Sequence, residues 1–336
     1  MKNKIRLFAV FALLLISTAS FAFAKSDFSI SPFFSATGSS KQPVEFKKAV
    51  VEKIDRMFWK ISGTDKKGRP SSVYLLGTIH VGDEKLLPLP DPIMDAFWGA
   101  KRVAAEISED DMENVEGAIA AAMGKSYLNA NGRNVLDYLT EEEKKALEPL
   151  ADKAMLEQLA VFEPWVMMIS TSTGQYSQVG MTGEGGVDLY LMSLLSEKGK
   201  AWEGMDTLQT QLDILAFGDY DQQIFMLKQS IAAMINPKES SITMSDLYKA
   251  YLDDDVGTLS KLLDAELKND EDVPPEMEDF MESYYKAIMD DRNSAWAKKI
   301  DSWLREGGSS FVFAGCAHFI GDHSVFYYLK ENNTIE

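Results

Sequence analysis

The chain has 336 residues, 34 of them basic and 52 acidic, for a formal charge of −18. It is 46% hydrophobic and 26% charged, with 22 Gly and 11 Pro, which excludes a collagen-like, disordered or disulfide-scaffold polymer. So acidic a surface repels nucleic acid and anionic lipid headgroups, which excludes nucleic-acid binding as a function class.

Residues 1–24 carry the three parts of a secretory signal peptide. Lys2, Lys4 and Arg6 form a positive start, Leu7 to Ile16 is an apolar run, and Ala22-Phe23-Ala24 is a small-x-small cleavage site. Cleavage is expected before Lys25, with export, most simply into a bacterial periplasm. Losing those three positive charges takes the formal charge from −18 to −21. No Cys follows the apolar run, so a lipid anchor is not indicated. No later stretch reaches the roughly 18 unbroken apolar residues of a spanning helix, so the processed chain is not expected to be an integral membrane protein. Cys316 is the single cysteine and has no partner for an intramolecular disulfide, so stability has to come from a core.

Residues 25–45, rich in Ser, Phe and Pro without a period, read as a flexible tail, and 46–336 as a single domain. Arg56 to Ser62 partly alternates as a half-buried strand does. The polar run Gly63 to Pro70 is a turn, and Val73-Tyr74-Leu75-Leu76 a second strand, giving a hairpin. That strand runs into Gly77-Thr78-Ile79-His80. Asp91 to Ala100 predicts a short helix with Pro92 in its first turn. Val103 to Ile107 predicts a buried strand that meets the acid Glu106. From about Met112 to Arg305 the pattern is helical, broken at Asn131-Gly132, Asn236-Pro237 and Pro274-Pro275, with one more candidate strand at Lys200 to Glu203. Ser309 to Ala314 predicts a last strand, running into Gly315-Cys316-Ala317-His318. Asp322 or Ser324 is placed to cap a final helix to about Lys330. The expected fold is α/β: a small central sheet carrying two strand-GxxH motifs, with a large helical insertion at about 112–305.

Only three histidines exist, and two of them, His80 and His318, end apolar strands in the same G-x-x-H device. Ligands of α/β sheets gather outside the carboxyl ends of strands. If the strands bearing His80, Glu106 and His318 are parallel neighbours, two imidazoles and a carboxylate converge there. Such a set binds a divalent ion such as Mn, Co, Fe or Zn and leaves positions open for water. Alternatively the two histidines hold the ion and Glu106 is a general base; the residues do not separate these. Against both stands the plain alternative that a histidine at a strand end is a hydrogen-bonded structural residue. His323, five residues after His318, is a weaker candidate. Asp83 and Glu84 fit a solvated loop better than support for His80. No H-E-x-x-H is present, which excludes a helix-borne zincin site.

Gly183-Glu184-Gly185-Gly186 enters a helix with Val187-Asp188-Leu189, without the spacing or the Lys of a P-loop. It reads as a plain helix start, or as an amide cluster facing an anionic group. Arg292 reads as an exposed ion-pairing residue or as a cation that steadies developing negative charge. A Cys316–His318 nucleophile is set aside, and the many methionines read as helix-packing core.

Taken together, Tyr74 to Gly82, Glu106, Gly186 to Leu191, Arg292-Asn293 and Gly315 to Gly321 resemble the TraB/GumN family, which includes the pheromone-shutdown proteins and the Tiki proteases. The resemblance spans about residues 55–332. It implies an α/β core like that of erythromycin-esterase-like and ChaN-like folds, with the two G-x-x-H histidines and the intervening acid as the active centre. It implies His80 and His318 as metal ligands, Glu106 as ligand or base, Arg292 as a helper, and metal-dependent cleavage of peptide or protein substrates. Cys316 departs from the small residue usual at its position. The expected function is therefore an exported metal-dependent hydrolase acting on peptide or protein N-terminal amide bonds. Its competitors are a non-catalytic periplasmic binder of peptide, haem or iron, and a helical scaffold with structural histidines.

Overall fold

A polar turn closed by one buried acid starts the sheet. The carboxylate of Asp65 accepts the backbone N–H groups of Lys67 (2.8 Å) and Arg69 (2.9 Å) and the Nε–H of Arg69 (2.7 Å), and Gly68 takes a positive φ of 76°. This joins β2 (Phe58–Thr64) to β3 (Pro70–Thr78) as the expected antiparallel hairpin. These features come from a computed structural model that describes residues 47–178, 180–235, 244–267 and 273–336. The expected signal peptide, the tail and the Asn236-Pro237 break lie outside the described residues.

The sheet has six strands in the order β1-β2-β3-β6-β4-β5, with β1 (Val50–Asp55), β4 (Arg102–Ala105), β5 (Glu203–Gly204) and β6 (Gly308–Gly315) completing it. β1 and β2 are antiparallel, as are β2 and β3; β3, β6, β4 and β5 run parallel. β1 was not visible in the sequence because it is an edge strand with exposed or half-buried residues throughout. β6, by contrast, lies between β3 and β4 and is continuously buried from Ser310 to Gly315, as parallel strands covered on both faces are.

Successive residues of β2 show the two faces. Phe58 stacks near Tyr74 and Phe311, and Phe311 meets Phe97 at 5.3 Å between centroids. Phe97 belongs to the helix Asp91–Gly99, which carries Pro in its first turn as expected. Trp59, on the other face, meets Phe319 and Phe326, the latter on the helix Val325–Glu331. Ser324 precedes that helix at the cap position, but its side chain makes no capping bond.

Helices fill most of the described stretch from Glu109 to Glu306, interrupted by the two residues of β5. β5 is shorter than its sequence signal and starts later, pairing Glu203 with Ala104 and Gly204 with Ala105. The architecture is α/β, with a mixed six-stranded sheet and many helices. Among the described residues no helix is long and apolar enough to cross a membrane.

Candidate functional site

The parallel order β3-β6-β4 sets three carboxyl ends side by side. Thr78 closes β3 opposite Gly315, which closes β6, and β4 follows on the other side of β6. His80 lies two residues past β3, Glu106 one past β4, and His318 in the single 3-10 turn Cys316–Phe319 that follows β6. The glycine of the first motif has a packing reason: a Cβ on Gly77 would stand 3.0 Å from the Cα of Cys316.

Glu106 occupies the middle. Its Oε1 accepts the Gly315 N–H at 2.9 Å, and its Oε2 accepts from Gln211 (3.0 Å) and Arg292 (2.6 Å). Burial alone would raise its pKa, but Arg292 and the imidazoles of His80 and His318 outweigh it and hold the carboxyl well below the usual range. The Nε2 of His80 lies 3.3 Å from Oε1 of Glu106, and its Nδ1 lies 2.8 Å from Oδ2 of Asp188. Both are ion-pair distances, and neither contact is aligned as a hydrogen bond. Burial pushes the His80 pKa down, yet the two flanking carboxylates, Asp188 first, carry it up to about 10. Asp188 in turn accepts the Thr78 hydroxyl at 2.7 Å.

His318 is fully buried and differently held. Its Nδ1 meets Oδ1 of Asn293 at 2.6 Å, while the Asn293 amide donates to the His323 carbonyl at 2.7 Å. An amide oriented that way offers its oxygen, so Nδ1 of His318 carries the proton and Nε2 keeps its lone pair. That Nε2 has no hydrogen-bond partner. Burial, then the charge of Arg292, keeps the His318 pKa well below the ordinary value, so the ring is neutral. The Trp296 ring lies against it, 4.3 Å between centroids.

Arg292, Asn293 and Trp296 share one face of the helix Asp291–Glu306, at the i, i+1 and i+4 spacing. A π-helical turn, Lys286–Asp290, precedes them, and such turns recur at functional sites. Arg292 is 3% exposed, so its reading as an exposed ion-pairing residue is corrected: it bridges Glu106 and Asp206, the latter at 2.7 Å. Asp206 is delivered by the ladder past β5, its N–H bonding the Glu106 carbonyl at 2.8 Å, and it also accepts the Trp296 Nε1–H at 2.7 Å.

The structure thus brings His80, Glu106, His318 and Arg292 into one buried cluster. His323 stays outside it: its side chain is 52% exposed and pairs with Asp290. Asp83 is also outside, accepting from Lys85 and Tyr248. Burial drives the Cys316 thiol up to about 12, so it stays protonated and is a poor nucleophile. Asp206, Gln211 and Trp296 were not found from sequence. They come from the helical stretch, where an acid, an amide and an aromatic are ordinary residues, and only the fold points them inward. A pocket lined by Arg56, Leu76, Lys85, Ile93, Val187 and Tyr251 lies by the same strand, but none of His80, Glu106 and His318 lines it.

Among the described residues, no group of three or more His, Cys, Asp or Glu side chains stands in an arrangement that could hold a metal ion. The donor chemistry is nevertheless suited to one. Two donors about 2.0 Å from a tetrahedral ion are about 3.3 Å apart, the separation of His80 Nε2 from Glu106 Oε1. His318 adds a buried, unpartnered lone pair. Glu106 and Asp206 share a single guanidinium and Asp188 faces His80 instead, so the cluster calls for a further positive charge, which a proton on His80 or a cation supplies.

No solved structure matches the chain. An uncharacterized protein of Treponema pallidum (strain Nichols) is 30% identical over 292 residues, covering 86% of this chain and 84% of that protein. The TraB/PrgY/gumN family matches residues 57–335, a span that includes both G-x-x-H motifs and every residue of the buried cluster, and the chain belongs to that family.

Proposed function

We propose that this protein is an exported metal-dependent hydrolase that cleaves peptide or protein N-terminal amide bonds, on a core related to erythromycin-esterase-like and ChaN-like folds. One observation carries the reading: two buried imidazoles of one cluster, His318 hydrogen-bonded at Nδ1 and His80 facing Asp188 there, keep Nε2 atoms without hydrogen-bond partners, that of His80 3.3 Å from the Glu106 carboxylate. His80 and His318 would hold the ion. A divalent ion held there lowers the pKa of a bound water and polarises a carbonyl.

The remaining residues have distinct work. Glu106, with three protein donors and a low proton affinity, is suited to balancing cationic charge and poorly suited to taking a proton. Of its two expected roles, ligand and general base, the ligand role is the better supported. Arg292 fixes Glu106 and Asp206 and supplies positive charge beside the reacting position. Trp296 and the surrounding core exclude bulk water from His318.

The test is metal content of the purified protein by plasma mass spectrometry, beside the His80→Ala/His318→Ala double variant. Stoichiometric Mn, Co, Fe or Zn in the wild type, lost in a folded variant, is expected. No bound metal after incubation with all four ions would overturn the reading. A peptide screen with and without chelator then tests the amide substrate, and N-terminal sequencing of the secreted protein tests cleavage before Lys25.

A further inference from the structure

Asp188 is held in place by a clasp of glycines. Gly82 and Thr182 exchange both backbone hydrogen bonds at 3.0 Å, and the Val187 N–H bonds the Ile79 carbonyl at 3.1 Å. Between these points the loop lies backbone against backbone. A Cβ on Gly186 would stand 2.2 Å from the His80 carbonyl oxygen, and one on Gly185 would stand 2.2 Å from that of Gly82. Only glycine permits this approach. The glycine-rich turn is the helix start that its plain reading gave, and more: it grips the chain on both sides of His80 and launches the helix Val187–Glu197 there.

Asp188, in the first turn of that helix, is 2% exposed. Its Oδ1 accepts the Thr78 hydroxyl, and its Oδ2 has no aligned donor and faces Nδ1 of His80 at 2.8 Å. Burying a carboxylate with one neutral donor costs several kcal/mol, so packing alone does not account for it. His318 has a neutral counterpart, Asn293, on its own Nδ1. Each imidazole thus has one side chain on its Nδ1 side, an amide hydrogen-bonded to His318 and a carboxylate 2.8 Å from His80.

We propose that Asp188 is the positioning residue of His80: it takes the Nδ1 side of the ring, directs Nε2 toward Glu106, and makes His80 the stronger of the two metal-binding nitrogens. The inference rests on the metal reading above. Partners of this kind commonly change metal affinity 10–100-fold.

The test uses Asp188→Asn and Asp188→Ala in the full processed chain. Cobalt(II) affinity is read by visible absorbance, and the ring protonation of His80 by NMR of protein labelled with nitrogen-15 histidine. With three histidines in the chain, His80 is assigned by comparison with His80→Ala. Asp188→Ala is expected to lose about 10–100-fold in cobalt affinity and to change the nitrogen-15 spectrum of the His80 ring from that of the wild type. Asp188→Asn, which can still accept from Nδ1–H but lacks the charge, is expected to fall between it and the wild type. Lowered urea midpoints with unchanged cobalt affinity and an unchanged His80 spectrum would overturn the proposal, since that is what a structural role gives. If the wild type binds no cobalt, the metal reading fails by itself. The NMR arm still decides the positioning: a His80 spectrum indifferent to Asp188→Ala refutes it, and a changed ring spectrum upholds it.

Discussion

Arg292→Met is the most informative single change. The side chains are similar in length, so the variant removes a buried guanidinium from between two carboxylates without opening a large cavity. Arg292 lies 2.6 Å from Glu106 and 2.7 Å from Asp206. Breaking one buried pair costs about 3–5 kcal/mol, because the remaining charge is left uncompensated. Two pairs counted separately give twice that, but protonation sets a ceiling. A carboxylate of ordinary pKa about 4.3 can be neutralised at pH 7 for about 3.7 kcal/mol, at about 1.36 kcal/mol per pH unit. Asp206 also keeps its bond from Trp296, and Glu106 those from Gln211 and Gly315. We therefore expect a loss of about 4 kcal/mol at pH 7, carried mainly by one carboxylate. The loss has a definite pH dependence. In the variant the folded carboxylate pKa is raised, so the folded state binds the extra proton and regains stability as pH falls. The wild-type Glu106 is ionised throughout this range and contributes no slope above about pH 5. The difference between the two should shrink by up to about 1.36 kcal/mol for each pH unit from 7 to 5. Urea unfolding with chelator present measures it. Glu106→Gln/Arg292→Met should cost less than the two single changes combined, because it removes both charges. A pH-independent loss, or strict additivity in that cycle, would refute the electrostatic account.

The glycines make a paired prediction. Gly186→Ala, whose Cβ would meet the His80 carbonyl at 2.2 Å, should destabilise by about 2 kcal/mol or more and displace Asp188. Gly117→Ala, in the helix Val115–Ala130 with open space around it, should stabilise by about 0.5–1 kcal/mol. Thermal melts compare them, and equal effects would show that the clasp is not tight. Tyr248→Phe removes the 2.6 Å bond that helps hold Asp83 at about 2. A depressed carboxylate contributes stability above its unfolded pKa and loses it as pH falls toward the folded one. The variant should therefore lose part of the stability the wild type has near neutral pH and show a flatter decline between about pH 4 and 2, read by circular dichroism. Cys316→Ala should leave metal content and peptide cleavage unchanged, since the thiol is protonated at neutral pH; loss of cleavage in a metal-loaded, folded variant would reopen a thiol nucleophile.

The hairpin, the helix from Asp91, the buried strand before Glu106 and the last strand into His318 were legible in the sequence. Each rests on a local rule: alternation, a proline in a first turn, a short apolar run bounded by turn residues. The two G-x-x-H motifs were legible for the same reason, and with them His80 and His318. β1 was not, because an exposed edge strand has no apolar pattern to read. Arg292 was named but read most simply as exposed, and Asp206, Gln211 and Trp296 went unseen. Their positions depend on where helices land against the sheet, which local sequence does not encode. What the sequence by itself determined, then, was the local devices that end each strand and the kind of donor they carry. The tertiary structure decided that β6 inserts between β3 and β4 and so brings His80, Glu106 and His318 together. It also decided that buried Arg292, Asp188 and Asn293 set the charge and tilt of that cluster. Those are properties of strand order and burial, fixed by contacts between residues more than a hundred positions apart in some cases, and burial is what turns an ordinary ion pair into a strong one.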